Sequence, residues 1–171
     1  GNAKADIVIN GGSFDIAMGI DESGYNGNLA YCGAAIGTGN AASGGWSSPY
    51  KTMRITINGG DFSGYTNVDS PIIGVANGSG KLNAVIDING GTFDLLTEDT
   101  VDNTMTGGAC IGSGTQGYYG SVVPDITVNG GILNLVSKSN GAAIGGGPGQ
   151  DGGNLYIFGG TITAVSEFEA D

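Results

Sequence analysis

The 171-residue chain has no histidine, five basic residues, two cysteines and four prolines. Without histidine, the commonest general base and the usual zinc and copper ligand are missing. The cations Lys4, Lys51, Arg54, Lys81 and Lys138 are scattered singly. Phosphate binding needs clustered cations, so nucleic acid and anionic lipid are not expected as partners. No apolar run approaches the ~20 residues of a membrane span, so membrane insertion is not expected either. Two cysteines do not make a disulfide framework. The few prolines, with no G-X-Y period, remove collagen. Sixteen acidic residues give a formal net charge of −11, a surplus whose plainest consequence is solubility.

Glycine is abundant instead, at 36 residues, several times the average share. The apolar residues alternate with polar ones, which a disordered Gly-rich tract would not show. One motif joins two such alternations through Gly-Gly. It reads DIVINGGSFDI from Asp6, RITINGGDFSG from Arg54, VIDINGGTFDL from Val85, DITVNGGILNL from Asp125 and NLYIFGGTITA from Asn154. The glycine pairs begin at Gly11, Gly59, Gly90, Gly130 and Gly159, spaced by 48, 31, 40 and 29 residues. A second motif lies between them: AAIGTG from Ala34, PIIGVA from Pro71, ACIGSG from Ala109 and AAIGGG from Ala142. Fixed motifs with unequal spacing describe a repeating core with variable loops.

Period-2 alternation predicts half-buried strands. The inward set of the first strand is Ile7/Ile9, Ile55/Ile57, Ile86/Ile88, Ile126/Val128 and Leu155/Ile157. The second strand turns Phe14, Phe62, Phe93, Leu133 and Ile162 inward. Like residues stack on like when coils lie ~4.8 Å apart in parallel register. The expected fold is all-β: a right-handed parallel β-helix, or solenoid, of about five coils with three short strands each. Residues 1–171 form one solenoid domain, expected to belong to a longer secreted protein. Asn10, Asn58, Asn89 and Asn129 precede four glycine pairs and suit a hydrogen-bonded amide ladder, which Phe158 breaks in the fifth coil. The glycines of the second motif are read as allowing close approach of a third strand.

Little here carries chemistry. Cys32 and Cys110 fall two coils apart, roughly 10 Å, too far for a disulfide, and are read as two free thiols. Asp15, Asp61 and Asp94 are expected outward beside Ser13, Ser63, Thr92, Asn134 and Thr163, with no basic residue in those columns. That pattern is a solvated polar face rather than an active site, and no enzyme activity is expected. GGPGQD, from Gly146, fits half of a calcium β-roll repeat, but Gly153 stands where an apolar residue is required. Asp21/Glu22 and Glu98/Asp99/Asp102 fall in the equivalent loop of the first and third coils and read as solvated acidic loops, the alternative being an acidic corner that recruits calcium weakly; no metal or cofactor is expected. The aromatic residues are more informative. Trp46 and Tyr50 follow AAIGTG, and Tyr118 and Tyr119 follow CIGSG. Both loops leave the third strand at one corner, where exposed rings suit the apolar faces of sugars. These four residues are the candidate ligand-binding set; the bland alternative is that they cover the rod's own hydrophobic edge.

The alternation of INGGTF-like with GAAIGGG-like motifs resembles the Gly-rich β-helical regions of secreted surface proteins of Gram-positive gut and soil bacteria. Some of these regions are labelled carbohydrate-binding domains. The resemblance runs from Asp6 to about Val165, with PIIGVANG departing from the pattern in the second coil. It implies an extracellular or cell-surface location and contact with polysaccharide or a host or cell-surface glycan. No family binding residue can be transferred. The alternatives are a purely structural spacer and a polysaccharide-active β-helix enzyme.

Overall fold

The computed structural model describes residues 4–19, 33–39, 51–76, 82–98, 107–115 and 122–167. Every described strand runs parallel to its neighbours, in three sheets. Sheet A stacks β1 (Lys4–Ile9), β4 (Lys51–Ile57), β7 (Leu82–Ile88), β10 (Val122–Val128) and β13 (Asn154–Ile157) in that order. Sheet B stacks β2 (Ser13–Met18), β5 (Asp61–Thr66), β8 (Thr92–Glu98), β11 (Ile132–Lys138) and β14 (Thr161–Ser166). Sheet C holds β3 (Ile36–Thr38), β6 (Ile73–Val75), β9 (Ile111–Ser113) and β12 (Ile144–Gly145). Spatial order in each sheet follows coil order, which defines a parallel β-helix of five coils. Sheet C has four strands because the second motif occurs four times.

The registers match the apolar columns of the sequence. Ile7, Ile55, Ile86, Ile126 and Leu155 are successive partners, as are Ile9, Ile57, Ile88, Val128 and Ile157. On sheet B, Phe14, Phe62, Phe93, Leu133 and Ile162 form one column. Its three phenylalanine rings stack with centroids 4.6 and 4.7 Å apart and planes within 3°. That spacing is the strand repeat itself, so the register imposes the stacking. In these columns the inward side chains of the middle three coils are buried, whereas Ile7, Ile9, Phe14 and Ile162 are only partly covered, as are Ile16 and Ile36 elsewhere in the first coil. Leu155 and Ile157 keep their columns but are exposed, because among the described residues no strand stacks on the far side of β13. Inward parity is therefore not the same as burial at the ends of a stack.

The corner between sheets A and B is shaped by the second glycine of each pair. Gly91, for instance, has φ of +109°, a region side chains rarely adopt. Ahead of it the amides form the expected ladder. Asn58 Nδ2 donates to Asn10 Oδ1 at 2.7 Å, Asn89 Nδ2 to Asn58 Oδ1 at 2.7 Å, and Asn129 Nδ2 to Asn89 Oδ1 at 2.8 Å. Phe158 takes the fifth place, exposed and unable to continue the series.

The second motif's glycines are explained differently from the sequence-based reading. Gly37, Gly74, Gly112 and Gly145 are register partners. A Cβ on Gly112 would lie 1.9 Å from the Gly145 carbonyl oxygen, and one on Gly74 would lie 1.9 Å from that of Gly112. The tight approach is along the stack, to the backbone of the next coil.

Candidate functional site

The outward face of sheet B is the most regular polar surface among the described residues. Alternation along each strand sends odd positions inward and even ones to solvent, or the reverse, and the parallel register stacks them. One exposed column holds Ser13, Asp61, Thr92, Ile132 and Thr161. The next holds Asp15, Ser63, Asp94, Asn134 and Thr163, all exposed. Beside them runs a mostly apolar column of Ala17, Tyr65, Leu96, Val136 and Val165. Hydroxyls, amides and carboxylates thus repeat at strand spacing next to an apolar stripe. No basic side chain stands in these three columns, so the carboxylates Asp15, Asp61 and Asp94 have no cation beside them there. Arg54, on sheet A, pairs with Asp87 on the next coil. That exposed pair contributes at most about 1 kcal/mol.

The four candidate binding residues, Trp46, Tyr50, Tyr118 and Tyr119, lie outside the described residues. Their strands of departure are described. β3 and β9 both belong to sheet C with β6 between them, and Thr38, Val75 and Ser113 are register partners. The chain leaves β3 for β4 and β9 for β10, in each case passing from sheet C to sheet A. Gly146 to Asp151 makes the same transition after β12, as a turn closed by Gln150 N–H donating to Gly147 O at 3.0 Å. Among the described residues, no three His, Cys, Asp or Glu side chains gather as a metal site would need.

Sequence reading did not single out the polar groups that are buried. Thr66, Thr97 and Ser137 form an inward column at the end of sheet B, where the chain turns toward sheet C. Thr66 Oγ1 accepts from Val68 N–H at 3.3 Å, and Ser137 Oγ donates to Gly141 O at 2.6 Å. Asp69, also buried, accepts from Gly107 N–H at 3.2 Å and so ties the second coil to the third. These groups satisfy turn backbone that lacks strand partners, a structural duty. Extending the alternation two residues past Gly64 and Leu95 would have revealed the column.

Cys110 is a free, buried thiol; Cys32 lies outside the described residues. Cys110 donates to Val136 O at 3.2 Å and packs with Ile111 in the core. Burial raises its pKa from 9.0 to about 11, against smaller opposing effects of its hydrogen bonding with Thr97 and Val136. The thiolate fraction at pH 8 falls about a hundredfold as a result. Native Cys110, which is also completely buried, should therefore react with iodoacetamide at least about a hundred times more slowly than in urea, as followed by peptide mass spectrometry. Equal rates would mean the thiol is accessible. Because the folded value lies above the unfolded one, the stability gained by burying the neutral thiol is complete below pH 9. It declines as pH rises from 9 toward 11.

Comparison with protein families, with curated proteins and with solved structures finds no match to the chain.

Proposed function

We propose that this chain is a non-catalytic module of a bacterial cell surface that binds carbohydrate or presents an adhesive face. The observation that carries the reading is the common origin of the two aromatic loops. They leave equivalent strands of one sheet, two coils apart, from the register column Thr38, Val75 and Ser113. Two coils span roughly 10 Å, comparable to a disaccharide. A rigid stack fixes the origins of such loops without using their side chains, which leaves the rings for a ligand. Trp46, Tyr50, Tyr118 and Tyr119 are accordingly assigned to ligand contact, with polysaccharide or a cell-surface glycan as partner and an extracellular setting. The resemblance of the repeat to bacterial surface regions supports the same reading. So does the net charge of −11, which disfavours anionic partners.

The test is a glycan array followed by pull-down on insoluble polysaccharide. Wild-type chain should bind a glycan, and Trp46→Ala or Tyr118→Ala should weaken that binding at least about tenfold, the loss of one stacked ring. Binding that survives both changes moves the site to the Asp15/Asp94 face of sheet B. No binding to any glycan leaves the structural spacer.

A further inference from the structure

Asparagine is thermolabile, most of all where glycine follows it, because a residue without Cβ lets its nitrogen reach the side-chain carbonyl carbon. Every member of the amide ladder has that neighbour: Asn10–Gly11, Asn58–Gly59, Asn89–Gly90 and Asn129–Gly130, each with a second glycine beyond. All four asparagines are exposed. The backbone nitrogens of Gly59, Gly90 and Gly130 make no hydrogen bond among the described residues, so the attacking atoms are unengaged.

What differs is how firmly each amide is held. To close a ring on its own backbone, a side chain must leave the ladder. Asn58 gives up two bonds, as donor to Asn10 and as acceptor from Asn89. Asn89 also gives up two, as donor to Asn58 and as acceptor from Asn129. Asn129 gives up one, its donation to Asn89 at 2.8 Å, because Phe158 offers no amide to its Oδ1. This end of the ladder lies inside the stack. β13 pairs with β10 beyond it, so Phe158 ends the series and not the last coil. Asn58, Asn89 and Asn129 all follow strands with a neighbour on both sides, so their comparison is like with like.

We propose that Asn129 is a site of spontaneous deamidation, and that the reaction then passes along the ladder to Asn89 and Asn58, coil by coil. Hydroxide takes the proton from the Gly130 nitrogen, which bonds to Asn129 Cγ. The Cγ–Nδ2 bond breaks and ammonia leaves, giving a cyclic imide. Water opens the imide to aspartate or isoaspartate. Either product lacks the Nδ2 donor and sets a carboxylate beside Asn89 Oδ1, so acceptor faces acceptor. Asn89 keeps only its bond to Asn58 and becomes the new end. The isoaspartate product also lengthens the main chain at a tight corner, where a Cβ on Gly130 would lie 3.0 Å from the Asn89 backbone oxygen. The spread runs one way. Deamidation of Asn10 would leave a carboxylate that still accepts from Asn58 Nδ2, so Asn58 would keep both its bonds.

Fragmentation mass spectrometry of the chain, held at mildly alkaline pH and sampled over time, tests this. Asn129 should deamidate about fivefold faster than Asn58 or Asn89 at first, the factor that one net hydrogen bond supplies. Asn89 should follow with a lag, and Asn58 after it, in chains already changed at Asn129. In urea the three should react alike, since each stands in the same Asn-Gly-Gly context. Phe158→Asn restores a donor and should slow Asn129 to the rate of Asn89, moving the labile end one coil further. Phe158→Ala restores none and should leave Asn129 fast. Circular dichroism checks that both variants, changed at an exposed corner, are folded. Equal initial rates at the three asparagines of the native chain overturn the proposal, as does a fast Asn129 in folded Phe158→Asn. Reaction at Asn89 that does not depend on Asn129 overturns the one-way spread. A difference that survives in urea assigns the lability to local sequence and overturns the part given to the ladder.

Discussion

Gly112→Ala should lower the stability of the solenoid by about 2–6 kcal/mol. Two costs add. The residue sits at φ +143°, where a side chain adds strain of about 1–3 kcal/mol. The new Cβ would also lie 1.9 Å from the Gly145 oxygen, against roughly 3.5 Å for a comfortable contact. Relief requires the fourth coil to shift away from the third, and forced repacking of that kind costs about 1–3 kcal/mol. Neither side can yield easily, since the obstructing atom is backbone and belongs to a strand. A domain stable by about 5–15 kcal/mol loses much of its margin. Gly11→Ala is the control, because no atom lies within 4 Å of its Cβ and its φ is not positive. It should change stability by no more than about 0.5 kcal/mol. Urea unfolding followed by circular dichroism measures both, and similar midpoints would show that the glycine column is not required.

Ile88→Asn should cost about 2–5 kcal/mol. Ile88 is completely buried between Ile57 and Val128 of the neighbouring coils. The substitution removes apolar packing and leaves an amide among aliphatic side chains with nothing to bond. Thr56→Asn places the same amide one residue from Ile57 on the outward face, only half-buried, and should cost less than about 1 kcal/mol. Comparing the two by urea melts tests strand parity directly. Equal losses would mean that the inward and outward faces of sheet A are misassigned.

The columns were legible in the sequence because each coil repeats one decision. Ile55 and Ile57 alone are ambiguous between a strand and a buried helical segment. Ile86, Ile88, Ile126 and Val128 at the same offset from a glycine pair remove the ambiguity. The Asn10–Asn129 ladder was legible for the same reason. The burial of Asp69 was not, since nothing in DSPIIG distinguishes a carboxylate that accepts from Gly107 of the next coil from one facing solvent. Nor was the cause of the second motif's glycines. Sequence shows that glycine recurs at the position in all four copies, but only coordinates show that the obstacle to a side chain is a carbonyl one coil away. The exposure of Leu155 and Ile157 was hidden too, because alternation states which way a residue points and not whether another coil lies beyond it. Trp46, Tyr50, Tyr118 and Tyr119 lie in stretches whose lengths differ from coil to coil, so no repeat constrains them.

The amide ladder has a direction. In each of its three bonds the donor belongs to the later coil and the acceptor to the earlier one. Backbone peptide groups along a parallel sheet point alternately up and down the stack and largely cancel. The asparagine side chains do not alternate, so their dipoles add along the axis and polarise one another. The stack therefore carries an electrical polarity, with amide hydrogens turned toward the first coil and the Asn129 oxygen toward the fifth. Like a helix, whose peptide dipoles add in the same way, it has a positive and a negative pole, and any charged group placed near either end would experience a different potential.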